Sequence, residues 1–226
     1  MTLSAVSTDA VAAPGEAAVY ANRFRQRRLK RLLTVIDEIL TTRDTCRILD
    51  VGGWVSYWQF LEPLWRDRPL HITMVNLTLA PTPDARYASR VGNACDMREL
   101  ADMSFDLVHS NSVIEHVGLW AQQRKMAQEV RRLAPRYFVQ TPNYWFPIEP
   151  HLRTPFIHWM PDPWRAMIVR RRACGYFPRA RSYDEARDIL DDSRLLNAPA
   201  MATLFPDAVI ERERFAGFTK SLIAIR

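Results

Sequence analysis

Two of the five histidines in this 226-residue sequence sit beside glutamates. Glu115 directly precedes His116, and Glu149 precedes His151 by two positions in the run Pro-Ile-Glu-Pro-His. Imidazole titrates near neutrality and a neighbouring carboxylate can orient it, so His116, His151 and Glu149 suit removing a proton from an acceptor or positioning one. For His116 the competing expectation is an imidazole that bonds the start of the following helix. Two histidines and a glutamate can also hold a divalent cation, but no spacing here has the form of a metal site, and no metal is expected. Cys46, Cys95 and Cys174 are odd in number and unpaired in spacing, which argues against a disulfide framework or a zinc site.

A turn is the next candidate. Asp50-Val51-Gly52-Gly53 ends an apolar run that begins at Arg47. A turn from a buried strand into a helix start offers backbone N–H groups and a positive dipole end, and glycine admits close approach. The dinucleotide pattern G-x-G-x-x-G is not met, because Trp54, Val55 and Ser56 follow the glycine pair.

The elements that must position these groups follow from periodicity. Leu29, Leu32, Leu33, Ile36, Ile39 and Leu40 mark one apolar face of a first helix, whose other face is crowded with arginines. Strand-like runs then start near Arg47, His71, Arg86, Ser104 and Arg136, with helix-compatible stretches at about 55–65 and 120–133 among them. Strands alternating with helices call for a parallel sheet covered on both faces. Residues 143–181 break the rhythm with prolines, tryptophans and two histidines, and read as a cap inserted after the fifth strand. Within it Trp145, Phe146, Phe156 and Trp159 are expected to form a satellite core. Ser182, with Glu185 three residues on, opens a helical stretch expected to reach about Leu204. Two strand-like runs around Gly217 form a closing hairpin. The expected organisation is a flexible tail over residues 1–20 and a single domain over 21–226.

The ordered series Arg-Ile-Leu-Asp-Val-Gly-Gly (47–53), Val-Asn-Leu (75–77), Gly-Asn-Ala (92–94) and Ser-Phe-Asp-Leu-Val-His-Ser-Asn-Ser-Val-Ile-Glu-His-Val (104–117) resembles the class I S-adenosylmethionine-dependent methyltransferases. Its last block is similar to the branch that includes ubiquinone-biosynthesis and other small-molecule methyltransferases. The resemblance covers roughly Arg47 to Pro142 and the closing hairpin. It implies an α/β, Rossmann-like three-layer sandwich with a seven-stranded, mostly parallel sheet, an antiparallel last strand, an N-terminal helix and the cap. It further implies S-adenosyl-L-methionine as cofactor, with Asp50, Gly52 and Gly53 forming the turn under it. Asn76 falls where the family usually has an acidic residue on the ribose, and Asn93 where an aspartate meets the adenine. Ser110 and Asn111 line the methionine side, and Met97 is placed to pack on adenine. The implied activity is methyl transfer by in-line displacement to a small-molecule acceptor, such as a natural product, a saccharide or a quinone-like compound.

Composition bounds the partners. Hydrophobic residues make up 48% and charged residues 25%, which excludes collagen-like, coiled-coil and wholly disordered chains. No window approaches the ~20 apolar residues of a membrane span, and the first residues lack the form of a secretory signal, so a cytoplasmic location is expected. The net charge of +6 rests on twenty-eight arginines and three lysines. The arginines concentrate on the first helix and between Arg165 and Arg181. The stretch 163–177 combines tryptophan, apolar residues and arginine in the order of an interfacial helix, so peripheral membrane contact and a lipid-linked acceptor form the main alternative. An RNA-binding role and a noncatalytic cofactor-binding role rank below these, because neither basic run interleaves stacking aromatics in a nucleic-acid module pattern. The sequence carries no sign of an oligomeric state.

Overall fold

Residues 23–226 are described by a computed structural model. The expected tail over 1–20 lies outside them. Helix α1 (Arg23–Leu40) comes first, followed by β1 (Cys46–Val51), α2 (Val55–Leu61), β2 (Leu70–Asn76), β3 (Tyr87–Val91), β4 (Leu107–Asn111), α3 (Trp120–Leu133) and β5 (Arg136–Pro142). The cap contributes a two-residue hairpin, β6 (Ile148–Glu149) and β7 (Thr154–Pro155), and helix α4 (Asp162–Arg171). Helices α5 (Tyr183–Asp191) and α6 (Ala198–Leu204) lead into β8 (Val209–Phe215) and β9 (Phe218–Ile225).

Seven strands form one sheet in the order β3-β2-β1-β4-β5-β9-β8. All neighbours from β3 to β5 pair in parallel, while β9 runs antiparallel to both β5 and β8. The strand order reverses between β1 and β4, the switch point outside which ligands of open α/β sheets bind. Alternating residues of β1 feed two cores. Leu49 and Val51 join Val108, Val139, Met126, Val130, Met201 and Phe205 on the face covered by α3 and α6. Ile48 joins Leu29, Leu32, Ile36, Trp58, Trp65 and Met74 on the face covered by α1 and α2. The apolar stripe read on the first helix is therefore its buried face, with Leu40 half-buried at its end.

Three expectations need correction. The stretch after Ser182 is two helices, because Pro199 cannot continue a helix from upstream and Asn197 starts a new one by accepting from the Ala200 N–H at 3.0 Å. The helix starting at Val55 ends at Leu61 and tightens into a 3₁₀ turn around Pro63. Trp145, Phe156 and Trp159 are exposed rather than packed in a satellite core, forming a ladder of rings 6.1 and 5.4 Å apart. Phe146 is half-buried and faces Phe215 of β8 instead. The small core that does exist beneath the cap uses Leu152, Ile157, Ala166, Val169, Cys174 and Ala180, and continues into Ala186 and Leu190 of α5.

Candidate active site

The glycine turn is built over a buried polar strut. Gly52 has a φ of +73°, its N–H donates to the Val75 carbonyl at 2.8 Å, and a Cβ there would overlap the Val113 side chain. A Cβ on Gly53 would fall onto the Asp50 carboxylate, which tucks beneath the turn. Asp50 is 1% exposed. It accepts from Trp58 Nε1 at 2.6 Å and from His109 Nδ1 at 2.7 Å. The His109 ring is in turn stacked between Tyr57 and Phe138. Ser110 is also fully buried and donates to the Val51 carbonyl at 3.2 Å. These two side chains brace β1 and β4 from within, since hydrogen bonding offsets the cost of burying them.

Three asparagines stand at the carboxyl ends of the strands around this turn, each with one half of its amide engaged. Asn76 Nδ2 donates to the Gly53 carbonyl at 2.6 Å, so its own oxygen remains an acceptor. Asn93 Oδ1 accepts from the Cys95 N–H at 2.9 Å, and Asn111 Oδ1 accepts from Arg28 Nη1 at 2.7 Å, so both retain amide donors. Apolar side chains are left open beside them: Leu77 is 77% exposed and Val91, paired in register with Asn76, is 62% exposed. Exposed apolar side chains beside a few placed polar groups are the chemistry that a nucleoside requires, so this residue set fits the adenosyl part of a cofactor. Met97 takes no part, being fully buried in the core against α3.

The histidine pairs converge. Glu115 and His116 follow β4, whereas Glu149 and His151 come from the cap, yet the two imidazole rings lie 4.6 Å apart and nearly perpendicular. His151 Nδ1 contacts Glu149 Oε1 at 2.8 Å, and Glu149 Oε2 also accepts the Leu152 N–H. His116 Nδ1 meets the Asp192 carbonyl at 3.1 Å and its carboxylate at 3.2 Å, so it bonds the end of α5 and not the start of α3. Glu115 is fully buried; its Oε2 accepts from Thr141 Oγ1 at 2.9 Å, and its Oε1 has no partner among the described residues. Burial pushes the Glu115 carboxyl up from its ordinary range. Burial works against a charge on His116, but the hydrogen bond to Asp192 and the nearby carboxylates outweigh it and raise its pKa to about 9. The same hydrogen bond holds Asp192 below the usual carboxylate range.

One ligand atom from each of Glu115, His116 and His151 lies within 4.8 Å of the others, a grouping that a divalent cation could gather. The separation of His116 and His151 by 35 positions concealed it in the sequence. Thr141, Asp192 and Arg28 were likewise missed, and no local pattern marks them, since each reaches its partner across the fold.

An open, mostly parallel sheet with a glycine turn at its switch point and an antiparallel last strand is the architecture of the class I S-adenosylmethionine-dependent methyltransferases. Residues 59–136 match the family model described as a methyltransferase domain, and the cofactor of this class is S-adenosylmethionine. No curated protein matches the chain. Among solved structures, the fold is similar to that of a Pyrococcus horikoshii protein (15% identity, TM-score 0.52, covering 92% of each chain). It is also similar to Haemonchus contortus phosphoethanolamine N-methyltransferase 2 in complex with S-adenosyl-L-methionine (17% identity, TM-score 0.51, 82% of this chain and 38% of that one). An O-methyltransferase family protein of Burkholderia thailandensis is similar at 13% identity and a TM-score of 0.50, covering 93% of this chain and 58% of that one. The chain thus spans less than two thirds of the length of the last two.

Proposed function

We propose that this protein transfers a methyl group from S-adenosylmethionine to a small-molecule acceptor held between the sheet edge and the cap. The observation that carries this reading is the meeting of His116, from the end of β4, with the His151–Glu149 pair of the cap at the carboxyl edge of the sheet. When bound, the cofactor supplies an electrophilic methyl on a sulfonium, and transfer needs alignment of the nucleophile and a route for its proton. The carbonyl of Asn76 would take a ribose hydroxyl, and the amide donors of Asn93 and Asn111 would take acceptors on the adenine and methionine parts. The turn at Gly52 and Gly53, whose missing side chains let it close over Val113 and Asp50, would present its backbone to the cofactor, with Asp50 and Ser110 supporting it from beneath.

On the acceptor side, His151 holds the better geometry for a base. Its Nδ1 is fixed by Glu149, which leaves Nε2 to accept the acceptor's proton as the new bond to carbon forms. His116, carrying its proton at neutral pH, places positive charge beside the oxygen or nitrogen being deprotonated. A cavity of about 140 Å³ against His151, His158 and Tyr144 has room for a small acceptor group.

The test separates the two halves of the site. His151→Ala is expected to lower turnover by about 10²-fold while calorimetric affinity for S-adenosylmethionine changes little, in keeping with the usual size of a general-base contribution. Absence of cofactor binding by the parent protein at millimolar concentration overturns the reading. An acceptor that is lipid-linked would reveal itself by flotation of the protein with vesicles.

A further inference from the structure

Away from the histidine cluster, the cap holds a second concavity of about 510 Å³, formed between α4 and the turn that leads into α5. Arg170, Arg171, Arg179 and Arg181, all exposed, are among the residues that line it, and no acidic residue is. Thirteen arginines elsewhere have a carboxylate partner among the described residues, as Arg47 has Asp106, Arg68 has Asp37, Arg132 has Glu129 and Asp102, and Arg136 has Glu38. None of the four around this pocket has an ion pair among the described residues. On the adjoining elements Asp162 pairs with Arg165 and Arg187, and Glu185 accepts the Arg181 backbone N–H, while Asp184 has no ion pair among the described residues.

We propose that this pocket binds the diphosphate group of a soluble phosphorylated small molecule. Like charges gathered without counter-charges repel one another, and a bound anion relieves that repulsion while each planar guanidinium offers paired donors to phosphoryl oxygens. Four cationic groups match a diphosphate better than a monophosphate. The volume is that of an organic ligand site and exceeds what a bare anion fills. Met167 and the Tyr183 ring supply an apolar and aromatic wall for the rest of the molecule. The concave arrangement favours a discrete ligand over a membrane, which would meet a protruding face.

The proposal goes beyond methyl transfer and is tested without it, so its failure leaves the transfer reading untouched. Titration calorimetry of the full chain with inorganic pyrophosphate is expected to show binding at least tenfold tighter than with sulfate, weakening steeply as salt is added. Arg170→Ala combined with Arg179→Ala should reduce that affinity at least tenfold, with an unchanged circular dichroism spectrum because both residues are exposed. Arg66→Ala, an exposed arginine outside the pocket, should leave it unchanged. No heat with millimolar pyrophosphate, or equal binding by parent and double variant, overturns the proposal. So does the converse pattern, in which vesicles doped with phosphatidic acid pull down the parent and not the double variant while pyrophosphate fails to bind.

Discussion

Asp50 illustrates how a residue in a binding turn can serve the turn without facing its ligand. Its two oxygens are taken by Trp58 and His109, and Gly53 passes so close above it that a side chain there would collide. Asp50→Ala strands two buried donors and opens space below the turn, and is expected to lower the free energy of urea unfolding by about 3 kcal/mol. Asp50→Asn, which keeps one acceptor oxygen, should cost less. His116 gives a second prediction at this scale. Its pKa of about 9 in the fold stands above the ordinary 6.5. A raised pKa means that protonation favours the folded state, so this contribution to stability is complete below pH 6.5 and disappears as pH rises through about 9. Histidine-selective NMR titration should place the imidazole in that range, and Asp192→Asn should bring it down.

Among the elements, the short cap segments decide where His151 stands. Gly175 has a φ of +58°, and a Cβ there would run into the His151 carbonyl, which the Tyr176 N–H caps at 3.0 Å. Gly175→Ala is therefore expected to shift the His151 backbone and lower turnover by about 10-fold or more, as small displacements of positioned groups do, with cofactor affinity unchanged in calorimetry. This dependence also marks where the sequence was legible. Leu29, Leu32 and Ile36 fixed a helix by spacing, Trp120–Leu133 was readable to the residue, and the glycine pair announced a strand-to-helix turn. Those features are local. The proximity of His116 to His151, the reach of Asp192 from the end of α5 and the bond from Arg28 to Asn111 depend on how the cap and α1 close over the sheet. The exposure of Trp145, Phe156 and Trp159 has a related reason: residue type suggests burial, but only packing decides it.

At the scale of the whole molecule, the two cores on either side of the sheet share β5 and β9. Leu222 belongs to one core and Ile223 to the other. Leu222→Ala is expected to cost about 2 to 5 kcal/mol in chemical denaturation, the range for a large-to-small change at a buried site. No helix among the described residues is long and apolar enough to cross a membrane.

The place of β9 also bears on synthesis. It lies between β5 and β8 in the sheet, yet both of those strands precede it in the chain. A nascent chain emerging from the ribosome can assemble β1 to β5 but must wait with one flank of β5 bare and β8 unattached until the last of these strands appears. An unpaired flank in a growing chain is where strands of neighbouring copies add. The topology therefore places the moment of greatest exposure to mispairing just before β9 emerges, when β1 to β5 and β8 are already made.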